Sequence, residues 1–182
     1  MSDTLIDVKV RLEAGYEPAL HGMALSHSLD VEYPLTERKI ERANKLAHKQ
    51  GGHNKFLESM ILWIEVIAPR YWWQQADTYR IASKQSESTM HTMLKQELSA
   101  EHFVEPPPEE WLWYLNGLIR NKELEKVKRL LPEGFWQKRM WCLSYKTLQN
   151  IYLQRKQHKL KEWQDFFAQV LEQIDHPEFI AP

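Results

Sequence analysis

The run over residues 59–68 restricts the fold of this chain more than any other stretch. In an extended strand successive side chains point to opposite faces. Met60, Leu62, Ile64, Val66 and Ala68 then share one face, and Ile61, Trp63, Glu65 and Ile67 share the other. Branched and aromatic residues on both faces read as a central strand of a sheet. Pro69 closes it, because proline cannot donate to a strand ladder yet suits the first turn of a helix. A helix over 71–77 is expected to follow.

Around this strand the pattern is mixed. Val8 and Val10 alternate with Lys9 and Arg11, which predicts a first strand over 7–12 that ends at Gly15. A short helix is expected over 16–28, with Leu20, Met23 and Ala24 on one side. Thr36 reads as an N-cap whose hydroxyl takes a free backbone N–H. The helix it starts runs to about Lys49 on an apolar face of Ile40, Ala43, Leu46 and Ala47, and Gly51-Gly52 stops it. The polar stretch 78–92 reads as a solvated loop and helix start. After Pro106-Pro107-Pro108 a helix begins at Glu109 and buries Trp111, Leu112, Leu115, Leu118 and Ile119. A second short helix spans 123–131. A strand over 134–143 sets Phe135, Arg139, Trp141 and Leu143 on one face, and helices over 145–156 and 160–174 follow. Strands inside a mainly helical chain give an α+β class. The length, 182 residues, suits one domain over 1–182.

Composition narrows the function classes. Lys plus Arg is 24 and Asp plus Glu is 25, a formal net charge of −1, so no general attraction to nucleic acid or acidic membrane follows. Nucleic acid could meet only a local patch such as 155–159. The lone Cys142 excludes an internal disulfide and a multi-cysteine zinc site. His21 and His27 fit no common ligand spacing, so no metal is expected. The longest apolar stretch is too short to span a bilayer, and a cytoplasmic protein is expected. Eight tryptophans supply large rigid surfaces. Trp72, Trp73, Trp111 and Trp113 are read either as core or as a subunit interface. Six glycines leave no phosphate loop and no dinucleotide fingerprint. In the polar stretch, Arg80 and Lys84 among hydroxyls could hold phosphate oxygens. The basic residues Lys126, Lys128 and Arg129 could bind an anion or simply be a solvated helix face.

Several short pieces then fall in order. Ala68-Pro69 ends the strand, Gln75 lies in the helix, and Arg80, Ser83 and Ser88 follow in the polar stretch. Gly52-His53 stands upstream. Leu131-Pro132, Trp141, Ser144-Tyr145-Lys146-Thr147-Leu148, Asn150, Arg155 and Trp163 stand downstream. Together they resemble the flavin-dependent thymidylate synthases. Those carry Arg-His-Arg-x-x-Ser-x-Asn-Glu-x-Ser-x-Arg after a strand ending Ala-Pro, a Gly-His-Glu stretch before it, and Trp-Thr-x-Asn-Ala-Arg-Ser-Leu after it.

The resemblance implies a homotetramer whose shared sites bind FAD and dUMP. A methylene group comes from methylenetetrahydrofolate and is reduced by flavin that NADPH has reduced. Residue by residue it implies Ser88 and Arg80 as catalytic. It implies His53, Tyr79, Arg80, Ser83, Gln85, Lys146 and Asn150 at FAD, and Gln75, Ser86, Ser88 and Lys128 at the nucleotide. The departures are as plain. Thr78, Met90 and Phe166 stand where the family has arginines, Tyr79 where it has histidine, Gln85 and Ser86 where it has Asn-Glu, Ser144 and Lys146 where it has asparagine and arginine, and Asn54 where it has glutamate. A charge-assisted hydrogen bond contributes about 1.5–3 kcal/mol, so three lost arginines remove roughly 4–9 kcal/mol if additive, beside about 8 for a micromolar complex. The alternative is a catalytically inactive diverged homologue serving as an oligomeric binding or structural protein.

Overall fold

The central strand is β2 (Ile61–Pro69), and its alternation is as the sequence requires: Leu62, Ile64, Val66 and Ala68 have no exposed surface. The computed structural model describes residues 5–28, 33, 35–49 and 51–182. β1 (Asp7–Ala14) and β4 (Trp136–Ser144) flank β2, and β3 (Ser83–Ser86) pairs with the far edge of β4. The order is β1-β2-β4-β3 with every pair antiparallel. Ile64 stands opposite Trp141, and Trp63 opposite Cys142.

Helices cover the Ile64–Trp141 face. α1 (Tyr16–Leu25), α2 (Glu37–Ala47), α3 (Arg70–Ala76), α7 (Tyr145–Arg155) and α8 (Lys161–Gln173) send Leu20, Ala43, Trp72, Leu148 and Phe166 into one apolar cluster with the sheet. A smaller cluster is built on α5 (Glu109–Arg120) and α6 (Leu124–Leu130) from Leu115, Leu118, Ile119 and Val127. On the opposite sheet face Ile61, Trp63, Ile67, Met140 and Cys142 are half-buried. No helix among the described residues is long and apolar enough to cross a membrane. The α+β class stands.

α8 also serves the outer edge of β1. The Val8 N–H donates to Gln169 Oε1 at 3.0 Å, and Gln169 Nε2 donates to the Ile6 carbonyl at 2.9 Å. One helical turn on, the Val10 N–H donates to Gln173 Oε1 at 3.0 Å and Gln173 Nε2 to the Val8 carbonyl at 2.9 Å.

Several local expectations are corrected. The polar stretch, read as a loop and helix start, does open a four-residue helix, α4 (Thr89–Thr92), but part of the expected loop is the strand β3. α1 stops at Leu25, and α2 stops at Ala47, before the two left-handed glycines. Thr36 holds the N-cap position, but its side chain caps nothing; its carbonyl takes the Lys39 and Ile40 N–H groups. Trp111 is exposed, because the smaller cluster is filled by one narrow face of α5, and Trp113 is 70% exposed. Trp72 and Trp73 have no exposed surface and are core. Burial pushes the Cys142 thiol up, as suits an inert side chain.

Two phenols, Tyr145 fully buried and Tyr71 half-buried, tie distant elements to carboxylates. The Tyr145 hydroxyl donates to Glu13 at 2.6 Å, and the Tyr71 hydroxyl donates to the buried Glu162. Burial first, then the neighbouring carboxylate, raises both phenol pKa values. The native state therefore keeps protons that an unfolded tyrosine loses near pH ~10. The stabilisation is complete below that pH and falls as pH rises above it. Urea midpoints are expected to decline above about pH 10, with tyrosinate absorbance from these two residues appearing only on unfolding. A level midpoint through that range contradicts the assignment.

Candidate functional site

The chain leaves β2 through Pro69, runs along α3, and crosses a short loop into β3. That path lays residues 80–83 beside the end of β4 and the start of α7. Ser144 caps α7, its Oγ accepting the Thr147 N–H at 3.1 Å. The Thr147 hydroxyl donates to the Ile81 carbonyl at 3.1 Å and so pins the loop to the helix N-terminus. Between them lies an open depression of about 680 Å³, lined by Arg80, Ser83, Lys146 and Asn150, with Glu58 and Cys142 beside them.

Two cations serve this depression differently. Arg80 is exposed and makes no hydrogen bond or ion pair among the described residues. Lys146 is half-buried and donates to Asn54 Oδ1 at 3.0 Å. Burial lowers its ammonium pKa against the opposing pull of Glu58. Asn54 is itself 2% exposed and donates to the Ala47 carbonyl at 2.9 Å and to Gln149 Oε1 at 3.1 Å. A rigid buried amide thus aims the lysine. An arginine, an ammonium and the positive end of α7 around one hollow can attract an anion, with Glu58 as the one opposing charge lining it among the described residues.

The other candidates lie elsewhere. His53 is exposed on a separate groove of about 420 Å³ between α1, α2 and the turn Lys55–Glu58. Tyr79 turns inward, where its hydroxyl accepts from Arg155 Nε at 2.8 Å. Gln75 lies under Trp163, whose indole N–H donates to it at 3.0 Å. Gln85 stands opposite Met140 and Ser86 opposite Arg139 on the outer strand. Ser88 is exposed before α4, and Lys128 sits on α6 beside the smaller cluster. Lys84, grouped with Arg80 on sequence grounds, lies on the helix-covered side of β3. Its ammonium lies 5.0 Å from the Trp141 ring and donates to the Tyr79 carbonyl at 2.9 Å. Arg155 is likewise turned into the protein rather than displayed for nucleic acid. No metal-holding cluster occurs among the described residues.

Sequence reasoning missed Asn54 as the holder of Lys146 and Glu58 as its neighbour. No local sequence signal points to either, because the Lys146–Asn54 contact joins positions 92 apart.

No protein-family model and no curated protein matches the chain. Solved structures do. A crystal structure of the flavin-dependent thymidylate synthase ThyX from Helicobacter pylori, complexed with FAD and dUMP, aligns with a TM-score of 0.83 over 96% of this chain and 98% of that one, at 19% identity. A second ThyX structure from the same organism, also with FAD and dUMP, aligns with a TM-score of 0.83 over 96% of this chain and 97% of that one, again at 19% identity. The chain has the fold of the flavin-dependent thymidylate synthases. The thymidylate synthase resemblance read from scattered motifs is therefore a likeness of the whole architecture.

Proposed function

We propose that this protein is a cytoplasmic flavin-dependent thymidylate synthase-like enzyme. It binds FAD and methylates, or otherwise modifies, a dUMP-like pyrimidine deoxynucleotide with methylenetetrahydrofolate as carbon donor and NADPH as reductant. One observation carries the reading: Arg80 and Ser83 from the motif segment line the same depression as Lys146 and Asn150 from α7. The structures this fold resembles are themselves complexes with FAD and dUMP.

The residues fit a flavin dinucleotide in kind. Arg80 and Lys146 supply charge for its diphosphate, the positive end of the α7 dipole adds to their field, and Ser83 and Asn150 supply directional hydrogen bonds. A flavin held there would, once reduced, supply hydride chemistry for turning a transferred methylene into a methyl group. The protein needs no nucleophile of its own: Ser88 and Arg80 polarise and orient, and Gln75, Ser86 and Lys128 hold the nucleotide. Ser88, Gln75, Ser86 and Lys128 do not line the depression, nor do His53, Tyr79 and Gln85. This favours sites completed by neighbouring subunits of a homotetramer, with the half-buried apolar face of the sheet available for contact.

Arg80→Ala is expected to weaken FAD binding about a hundredfold while leaving the far-UV spectrum and melting point in place, since Arg80 is exposed and makes no hydrogen bond or ion pair among the described residues. Titration followed by flavin fluorescence measures it; unchanged affinity rejects the site. A second reading rests on Phe166, which occupies a family arginine position and is fully buried in the aromatic core. On that reading the scaffold has lost nucleotide chemistry and serves as an oligomeric binding protein. Saturable micromolar FAD binding by the wild type excludes it, and no binding by a folded, assembled protein establishes it.

A further inference from the structure

Gln75 is held by groups that can only donate. Trp163 Nε1 donates to its Oε1 at 3.0 Å and Arg155 Nη1 to the same oxygen at 3.4 Å. An indole N–H and a guanidinium have no acceptor to offer. The orientation of the amide is therefore fixed by its partners: oxygen inward, nitrogen outward. That outward Nε2 has no partner among the described residues, and the side chain is half-buried rather than enclosed.

Arg155 is itself clamped. Its Nε donates to the Tyr79 hydroxyl at 2.8 Å, and that hydroxyl donates onward to Gln154 Oε1 at 3.2 Å. The guanidinium carbon lies 5.7 Å from the Tyr79 ring centre and 5.4 Å from that of Trp163. With the aromatic rings and the Tyr79 hydroxyl fixing it, Arg155 has one way to face Gln75. Tyr79, where the resemblance offers a histidine for the cofactor, is instead part of this clamp.

An unrestrained glutamine can rotate its amide and offer either a donor or an acceptor. This one cannot. We propose that Arg155 and Trp163 are positioning residues that lock Gln75 as a two-proton donor. The nucleotide site then selects a ligand oxygen that accepts and cannot donate, either a pyrimidine carbonyl or a phosphate oxygen. The inference rests on the reading that Gln75 faces the nucleotide. A base with an amino group at that place, as in cytosine, meets donor against donor, and a site with an unpaired polar group rejects such a ligand strongly.

The test is a double-mutant cycle read by calorimetric binding of dUMP, dCMP and deoxyuridine to the assembled protein. Arg155→Met is expected to weaken dUMP binding about tenfold in the wild-type background. In the Gln75→Ala background it is expected to change affinity by less than about twofold, because nothing is left to position. The ratio that collapses names the oxygen: dUMP over dCMP for a base carbonyl, dUMP over deoxyuridine for phosphate. A merely structural role weakens all three ligands alike and moves neither ratio. Equal losses in both backgrounds, or unmoved ratios, overturn the proposal. If Arg155→Met does not fold, Trp163→Phe removes one donor and keeps an aromatic ring, though a smaller one, and the same cycle is run with it. If the folded wild type binds none of the three ligands, the nucleotide reading itself has failed and this inference falls with it.

Discussion

Trp72→Ala is expected to lower unfolding free energy by about 3–5 kcal/mol, the usual cost of emptying a large buried aromatic site. Trp72 has no exposed surface. Its ring centre lies 4.6 Å from that of Trp163, 4.9 Å from Trp73, 5.4 Å from Phe166 and 6.1 Å from Trp141. Rigid rings do not collapse into a hole as aliphatic chains do, so the cavity term is not relieved. Trp72→Phe is expected to cost less than half as much. Its indole N–H finds no hydrogen-bond partner among the described residues, and phenylalanine removes that unpaired donor along with some volume. Urea unfolding followed by circular dichroism separates the two variants. Equal losses would show that the indole nitrogen matters where the structure gives it no role.

Gln149→Leu is expected to cost about 2–4 kcal/mol and to weaken flavin binding at the same time. Gln149 is fully buried. Its amide donates to the Phe179 carbonyl at 2.7 Å and the Ala47 carbonyl at 2.9 Å, and its oxygen accepts from Asn54 at 3.1 Å. Leucine keeps the volume and removes every one of these bonds. Phe179 belongs to the C-terminal turn Pro177–Phe179, which packs into the main core, so that turn loosens. Asn54 loses one of its two anchors, and Lys146 loses its fixed aim. A variant with reduced stability but unchanged flavin affinity would show that Asn54 does not govern Lys146.

The legible and illegible parts of this chain differ for physical reasons. β2 was legible because both its faces carry apolar residues in strict alternation. β3 was not: Ser83-Lys84-Gln85-Ser86 has no apolar rhythm, and its strand state is imposed by pairing with β4. Its one long cation is turned under Trp141, which a reading of hydroxyls and charges could not foresee. Trp111 misled because the α5 cluster needs only a narrow stripe of the helix. At the candidate site, Arg80 and Lys146 could be named from a motif resemblance. The contact between Lys146 and Asn54 spans 92 positions of sequence and depends on how the turn Lys55–Glu58, α7 and the sheet come together. Tyr79 was expected at the cofactor, and the structure instead sets it against Arg155.

The pairing of Gln169 and Gln173 with β1 bears on how copies of this chain can associate. An uncovered outer strand is a template on which a foreign strand can add. Here two side-chain amides already occupy the template, matching donor to acceptor as a neighbouring strand would. Along residues 6–10, growth of the sheet on that side is blocked by the protein's own last long helix. The opposite end offers only the four residues of β3. Assembly is thereby steered toward contact between faces, and the runaway stacking of strands that threatens an open antiparallel sheet is hindered along the first half of its longer border.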